Sequence, residues 1–109
     1  MTNRITSSGL NYISPFGLER EMGYTFKEFF KVLPRALSDY DYKIDSNLII
    51  IELENGKVEI EIGDERERRY TKLVSFPILP VKISFIDVED DGKAHFLRKF
   101  DISYMKGLA

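Results

Sequence analysis

The sequence predicts an α+β fold: an antiparallel meander of four strands, five if the N-terminal segment adds one, with an N-terminal helix and a C-terminal helix packed on one face. Three observations carry that expectation. Residues 25–37 combine a helix-start signature with apolar residues at helical spacing. Residues 57–62 alternate apolar and charged after an Asn55-Gly56 turn signal. Phe96, Leu97, Phe100, Tyr104 and Met105 return to helical spacing near the C-terminal end.

The size of the chain sets limits. Its 109 residues fit one domain with its own core, and 43% hydrophobic with 31% charged residues is an ordinary globular balance. We expect residues 1–23 to be a partly ordered segment and residues 24–109 a single domain. The net charge of -2 supplies no global field to recruit nucleic acid or an acidic membrane. There is no cysteine, so disulfides, thiolate nucleophiles and cysteine-bound metals are excluded. No apolar run approaches the roughly 18 residues of a membrane span. The first residues lack the apolar stretch of a secretory signal, so a cytoplasmic location is expected.

Gly9, Pro15, Gly17 and Gly23 punctuate the N-terminal segment. Ile5, Leu10, Tyr12, Ile13, Phe16 and Leu18 are too apolar for a free tail, and residues 11–13 suit a short strand. The first helix opens at Thr25, with Glu28 completing a capping box and Tyr24 and Phe29 at the positions of a hydrophobic staple. Phe26, Phe29, Phe30, Leu33 and Leu37 form its apolar face, and Pro34 should kink or shorten it. Ser38-Asp39 closes it.

Four strands follow, over residues 48–54, 57–62, 68–76 and 81–88. A two-residue type I′ turn at Asn55-Gly56 would place Leu53 opposite Val58 and Ile51 opposite Ile60. Gly63-Asp64-Glu65 reads as the next turn, and Pro77 and Pro80 as bracketing a connection. The last segment also alternates at Phe100, Ile102 and Tyr104, but the helical pattern is favoured, with Arg98, Lys99 and Lys106 toward its C-terminus and Gly107 as cap. This order of elements resembles TATA-box-binding-protein-like α+β layouts in topology alone, which implies no function.

Candidate chemistry is sparse. The run Asp87, Glu89, Asp90, Asp91, Gly92 looks like half a calcium loop, but its twelfth position is Arg98, a cation where a bidentate glutamate is needed. It suits a helix N-terminus instead. Glu52 and Glu59 would face each other across the hairpin, yet on a polar, open sheet face that cannot shift a pKa for catalysis. Glu59 and Glu61 next to Arg66, Arg68, Arg69 and Lys72 suggest a cross-strand charge ladder. The single histidine, His95, lacks partners for a metal site and reads as a surface residue. No glycine pair has the spacing of a phosphate-binding loop.

We therefore expect no cofactor, no metal and no catalytic residue, and the balance favours a non-enzyme. The leading function is a binding or accessory module acting through protein–protein contact with a partner or, as a homodimer, with itself. Its candidate surface is Ile50, Glu52, Glu59, Glu61, Arg68, Arg69, Tyr70 and Lys72. Consecutive Ile49, Ile50 and Ile51 leave Ile50 on the second face, and Val74 and Phe76 against Leu73 and Ser75 pose the same two-sided problem. One alternative is a small-molecule-binding protein or weak enzyme with a phenylalanine-lined cavity between helix and sheet, where Tyr70, His95 or Arg98 would supply polarity. Another is nucleic-acid binding through residues 66–72, with Tyr70 stacking a base; neighbouring glutamates oppose it.

Overall fold

A computed structural model describes residues 11–14 and 17–105, with backbone only for 11–14. The expected packing of Ile5 and Leu10, and the cap at Lys106-Gly107, lie outside the described residues. The elements are β1 (Asn11–Ser14), β2 (Gly17–Met22), α1 (Phe26–Ala36), β3 (Asp41–Asp45), β4 (Leu48–Glu52), β5 (Lys57–Ile62), β6 (Arg66–Arg69), β7 (Ser75–Ile86) and α2 (Asp90–Ser103). All strand pairs are antiparallel. The sheet runs β1-β2-β7-β5-β4-β3, with β6 paired to β7. No helix among the described residues is long and apolar enough to cross a membrane.

The α+β class and both helices agree with expectation; the strand count does not. Two strands went unread. Gly17–Met22 carries three charges among its six residues, and Asp41–Asp45 begins and ends in aspartate. Such residues are depleted in strands on average, but pairing decides here: β2 lines up with Leu79–Ser84 of β7, and β3 pairs along the whole of β4.

Thr25 and Glu28 form the capping box, each side chain bonding the other's backbone N–H at 3.0 Å. Pro34 is accommodated inside α1 near its C-terminal end. α1 and α2 cover one face of the sheet. Phe29, Leu33, Ala36 and Leu37 meet Phe96, Phe100 and Tyr104 above a floor of Ile49, Ile51, Val58, Ile60, Ile62, Leu79, Val81 and Ile83. Full burial of each such side chain contributes roughly 1.5–3 kcal/mol. The staple works through a third ring: Tyr104 stacks on Phe29 with centroids 4.8 Å apart and meets Tyr24 edge-on at 5.3 Å. Its hydroxyl donates to the Phe29 carbonyl at 2.8 Å, and Tyr24 donates to the Tyr104 carbonyl at 2.7 Å. Arg20, on the sheet's helix side, grips Asp101 of α2 with both terminal guanidinium nitrogens. These contacts choose helix over strand for the C-terminal segment.

The hairpin at Asn55-Gly56 is corrected in register. Ile51 faces Val58 and Ile49 faces Ile60, and residues 53–56 make a four-residue loop in which Leu53 N–H donates to the Gly56 carbonyl at 2.8 Å. A type I′ turn needs positive φ at both central residues. Among the described non-glycine residues only Ser46 and Asp87 have it, so Asn55 does not. Gly56 serves another purpose: a Cβ there would overlap the carbonyl oxygens of Ile86 and Asp87. The tight turn lies one hairpin earlier, at Ser46-Asn47 between paired Asp45 and Leu48, with Ser46 at φ 60°. Because the shift moves two residues in total, the same side chains stay on the core face.

The strands expected at 68–76 and 81–88 are also corrected. β7 is one twelve-residue strand, and β6 ends before a loop at residues 70–74. Pro77 and Pro80 lie inside β7. Pro80 sits where three residues, 63–65, face two on β7, so a bulge removes the need for its N–H; its carbonyl still accepts from Gly63 at 2.9 Å. Pro77 lies past Leu79, the last residue paired with β2, where that edge of β7 is open.

Two predictions follow from this packing. Gly56→Ala should lower stability by about 1–3 kcal/mol in urea melts, because backbone must move to admit a methyl group. Burial first, and Tyr24 second, hold the Tyr104 phenol well above its ordinary range. An unfolded Tyr104 ionises near pH 10 while the folded one stays protonated, so folding stability is present below about pH 10 and falls above it, by up to about 1.4 kcal/mol per pH unit per proton. Tyr104→Phe should flatten that alkaline loss in melts recorded from neutral to alkaline pH; an unchanged slope would assign it to other groups.

Candidate functional site

The feature that stands away from the sheet and helices is the β6–β7 ribbon. Past Gly63 the chain makes its bulge, and β6 continues along the edge of β7 that β5 occupied. Among the described residues β6 pairs with nothing but β7, and all four of its residues are exposed. The apex is ordered by local bonds. Tyr70 N–H donates to the Val74 carbonyl at 2.9 Å, and the Thr71 hydroxyl accepts from the backbone N–H groups of Leu73 and Val74 at 3.1 and 3.0 Å. A threonine that bonds the backbone two and three residues on stabilises such a turn.

This geometry turns apolar groups outward. Leu73 is 95% exposed and Tyr70 61%, with Val74 and Phe76 close to half exposed. The Tyr70 and Phe76 rings meet edge-on at 5.3 Å. Cations surround them: Arg66, Arg68, Arg69 and Lys72 against the single Glu67 give residues 66–76 a local charge of +3, in a chain of net charge -2. The remainder of the chain therefore sums to -5.

Two anchors hold the base of the arm. Glu65, in the bulge, accepts from the Phe26 N–H at 2.7 Å, where a carboxylate meets the positive end of α1. Glu21 of β2 accepts from Arg66 and, at 3.0 Å, from Arg68. Arg66 pairs opposite Ile78, which by alternation along β7 is on the face away from the helices and is only 7% exposed. A hydrogen bond to Tyr70, and then Glu21, holds the Arg68 guanidinium above its usual range. Arg69 and Lys72 form no ion pair among the described residues.

The eight residues expected to share one surface divide into groups. Arg68, Arg69, Tyr70 and Lys72 belong to the arm. Ile50 lies mid-sheet, half-buried between Lys43 and Glu59. Glu61 is opposite Lys82, and Glu59 is 3.4 Å from Lys57. Glu52 pairs with Lys57 and Asp41, not with Glu59. The glutamate–arginine ladder is overturned: β6 extends beyond β5 instead of lying beside it, so Arg68 and Arg69 cannot face Glu59 and Glu61, and the arginines find Glu21. Sequence reasoning missed Glu21 and underrated Leu73. The two-sided apolar run at 73–76 was the available signal.

At the opposite end of β7 lies a groove of about 750 Å³ between the 53–56 loop, the start of β3 and the start of α2. Tyr40 and Leu53 line its apolar part, and both pack on the core. Asp41, Glu52, Glu54 and Asp91 edge it, exposed and without an ion pair among the described residues. Asp39, also on its edge, is held by Lys99 at 2.8 Å, which keeps its carboxyl below the usual range. Exposed His95 borders the same groove. Asp90 and Asp91 occupy the first turn of α2. Among the described residues, no three His, Asp or Glu side chains gather to hold a metal.

The clamp can be tested apart from any function. Glu21→Gln should speed hydrogen exchange of the β6 amides severalfold while shifting the global melting point little, since exposed pairs contribute only about 0–1 kcal/mol. Unchanged exchange in β6 would mean that the turn and Glu65 suffice. No family model, no curated protein and no solved structure matches this chain.

Proposed function

We propose that the chain is a non-catalytic binding module that docks a partner protein through the β6–β7 arm. The observation that carries this is Leu73, 95% exposed at the apex of a ribbon held by its own turn bonds. One exposed leucine is unremarkable. Four neighbouring apolar residues on an ordered turn favour an interaction site, because little further ordering entropy is lost when a partner covers them. Tyr70 and Arg69 are of the types that dominate binding energy at interfaces.

The cavity alternative draws less support. Phe29, Phe96 and Phe100 are fully buried, with the Phe100 ring against both of the others, filling the space between helix and sheet. Nucleic-acid binding is weakened by Glu21, which occupies two of the four arm cations.

A photo-crosslinking residue replacing Leu73, with one replacing exposed Lys27 of α1 as control, separates these readings in cells producing the chain. The arm position should yield discrete protein adducts that the Lys27 position does not. Adducts from neither position, or equal patterns from both, would refute arm-mediated docking.

A further inference from the structure

Resting on the arm-docking reading, we infer that the arm's partner is a second copy of this chain, whose groove at the far end of β7 receives it head to tail. The two surfaces have opposite character. The arm presents Tyr70 and Leu73 with the unpaired cations Arg69 and Lys72. The groove presents Tyr40 and Leu53 within an edge of four unpaired carboxylates. Lys57, the cation aligned with Glu52, is instead turned toward Glu59 at 3.4 Å.

Both halves of the contact are matched in kind: apolar against apolar at the centre, cation against carboxylate around it. Complementary potentials of this sort steer encounter and set orientation. A chain whose arm carries +3 on a body of -5 repels body-to-body contact and attracts arm-to-body contact. The groove volume of about 750 Å³ can admit the two apical side chains.

The geometry has a consequence for assembly. Within a chain the arm and the groove sit at opposite ends of β7, so no copy can fill its own groove. The contact is heterologous: each copy offers one arm and one groove, and repetition gives an open chain or a closed ring, not a two-fold dimer that stops at two.

The test uses the full chain and two sets of neutral substitutions at exposed positions. The arm variant carries Arg69→Ser, Lys72→Ser and Leu73→Ser; the groove variant carries Asp41→Asn, Glu52→Gln and Glu54→Gln. Light scattering of the unmodified chain at low salt should show mass rising with concentration past twice the 12.7 kDa monomer. It should fall back at about 1 M salt, where charges are screened beyond about 3 Å. Each variant alone should remain monomeric. Their equimolar mixture should form a one-to-one complex and stop there, because only one intact arm and one intact groove meet. An unmodified chain that stays at monomer mass would overturn the inference. So would a groove variant that still associates, or a mixture that forms nothing. Leu73 adducts to a different protein, with a monomeric chain, would sink self-association alone; absence of any Leu73 adduct would sink the docking reading as well.

Discussion

Every other element takes its position from the unbroken run of β7. Its twelve residues pair with β2 along one edge and with β5 and then β6 along the other. Its alternating side chains serve both faces: Leu79, Val81 and Ile83 join the core beneath the helices, while Ile78 is buried on the other face, where Arg66 pairs opposite it. A break in β7 would separate the N-terminal hairpin from the meander, and would also detach the arm. The two prolines within it are tolerated because each falls where a ladder N–H is not required, one at a bulge and one beside an open edge.

That arrangement explains what could be read from the amino acids and what could not. The capping box at Thr25 and Glu28 and the apolar spacing of α1 are local, and local physics decides them. The core faces of β4 and β5 were legible because a period of two survives a register shift of two. The shift itself was not legible. Asn-Gly usually signals positive φ, whereas Gly56 is needed for close approach to Ile86 and Asp87, thirty and thirty-one positions away in sequence. Pro77 and Pro80 misled for the same kind of reason: a proline excludes a strand only where its N–H has a partner to lose, and partners are a tertiary matter.

The arm was misread through the bulge at residues 63–65. With Gly63-Asp64-Glu65 taken as a turn, the basic residues after it fold back beside Glu59 and Glu61, and a charge ladder seems to account for them. With a bulge, the strand carries straight on, the arginines pass the end of β5, and the apolar residues at 73, 74 and 76 lose any core to join. One extra residue thus separates a buried strand from a projecting ribbon. The candidate surface was legible only as an unresolved conflict, apolar side chains on both faces of one segment.

Charge separation along the ribbon then follows from where Glu21 sits. It meets Arg66 and Arg68 near the base, so those guanidinium groups are committed to tying the arm to β2. Arg69 and Lys72, nearer the apex, keep their charge for whatever approaches. The body carries the opposite excess, and four of its unpaired carboxylates, Asp41, Glu52, Glu54 and Asp91, edge the groove at the other end of the same strand. Exposed ion pairs contribute little to stability, so stability alone does not account for a net +3 on the arm against -5 on the rest of the chain. On the docking reading proposed above, a polarised molecule with an apolar apex meets another body arm first, toward negative charge.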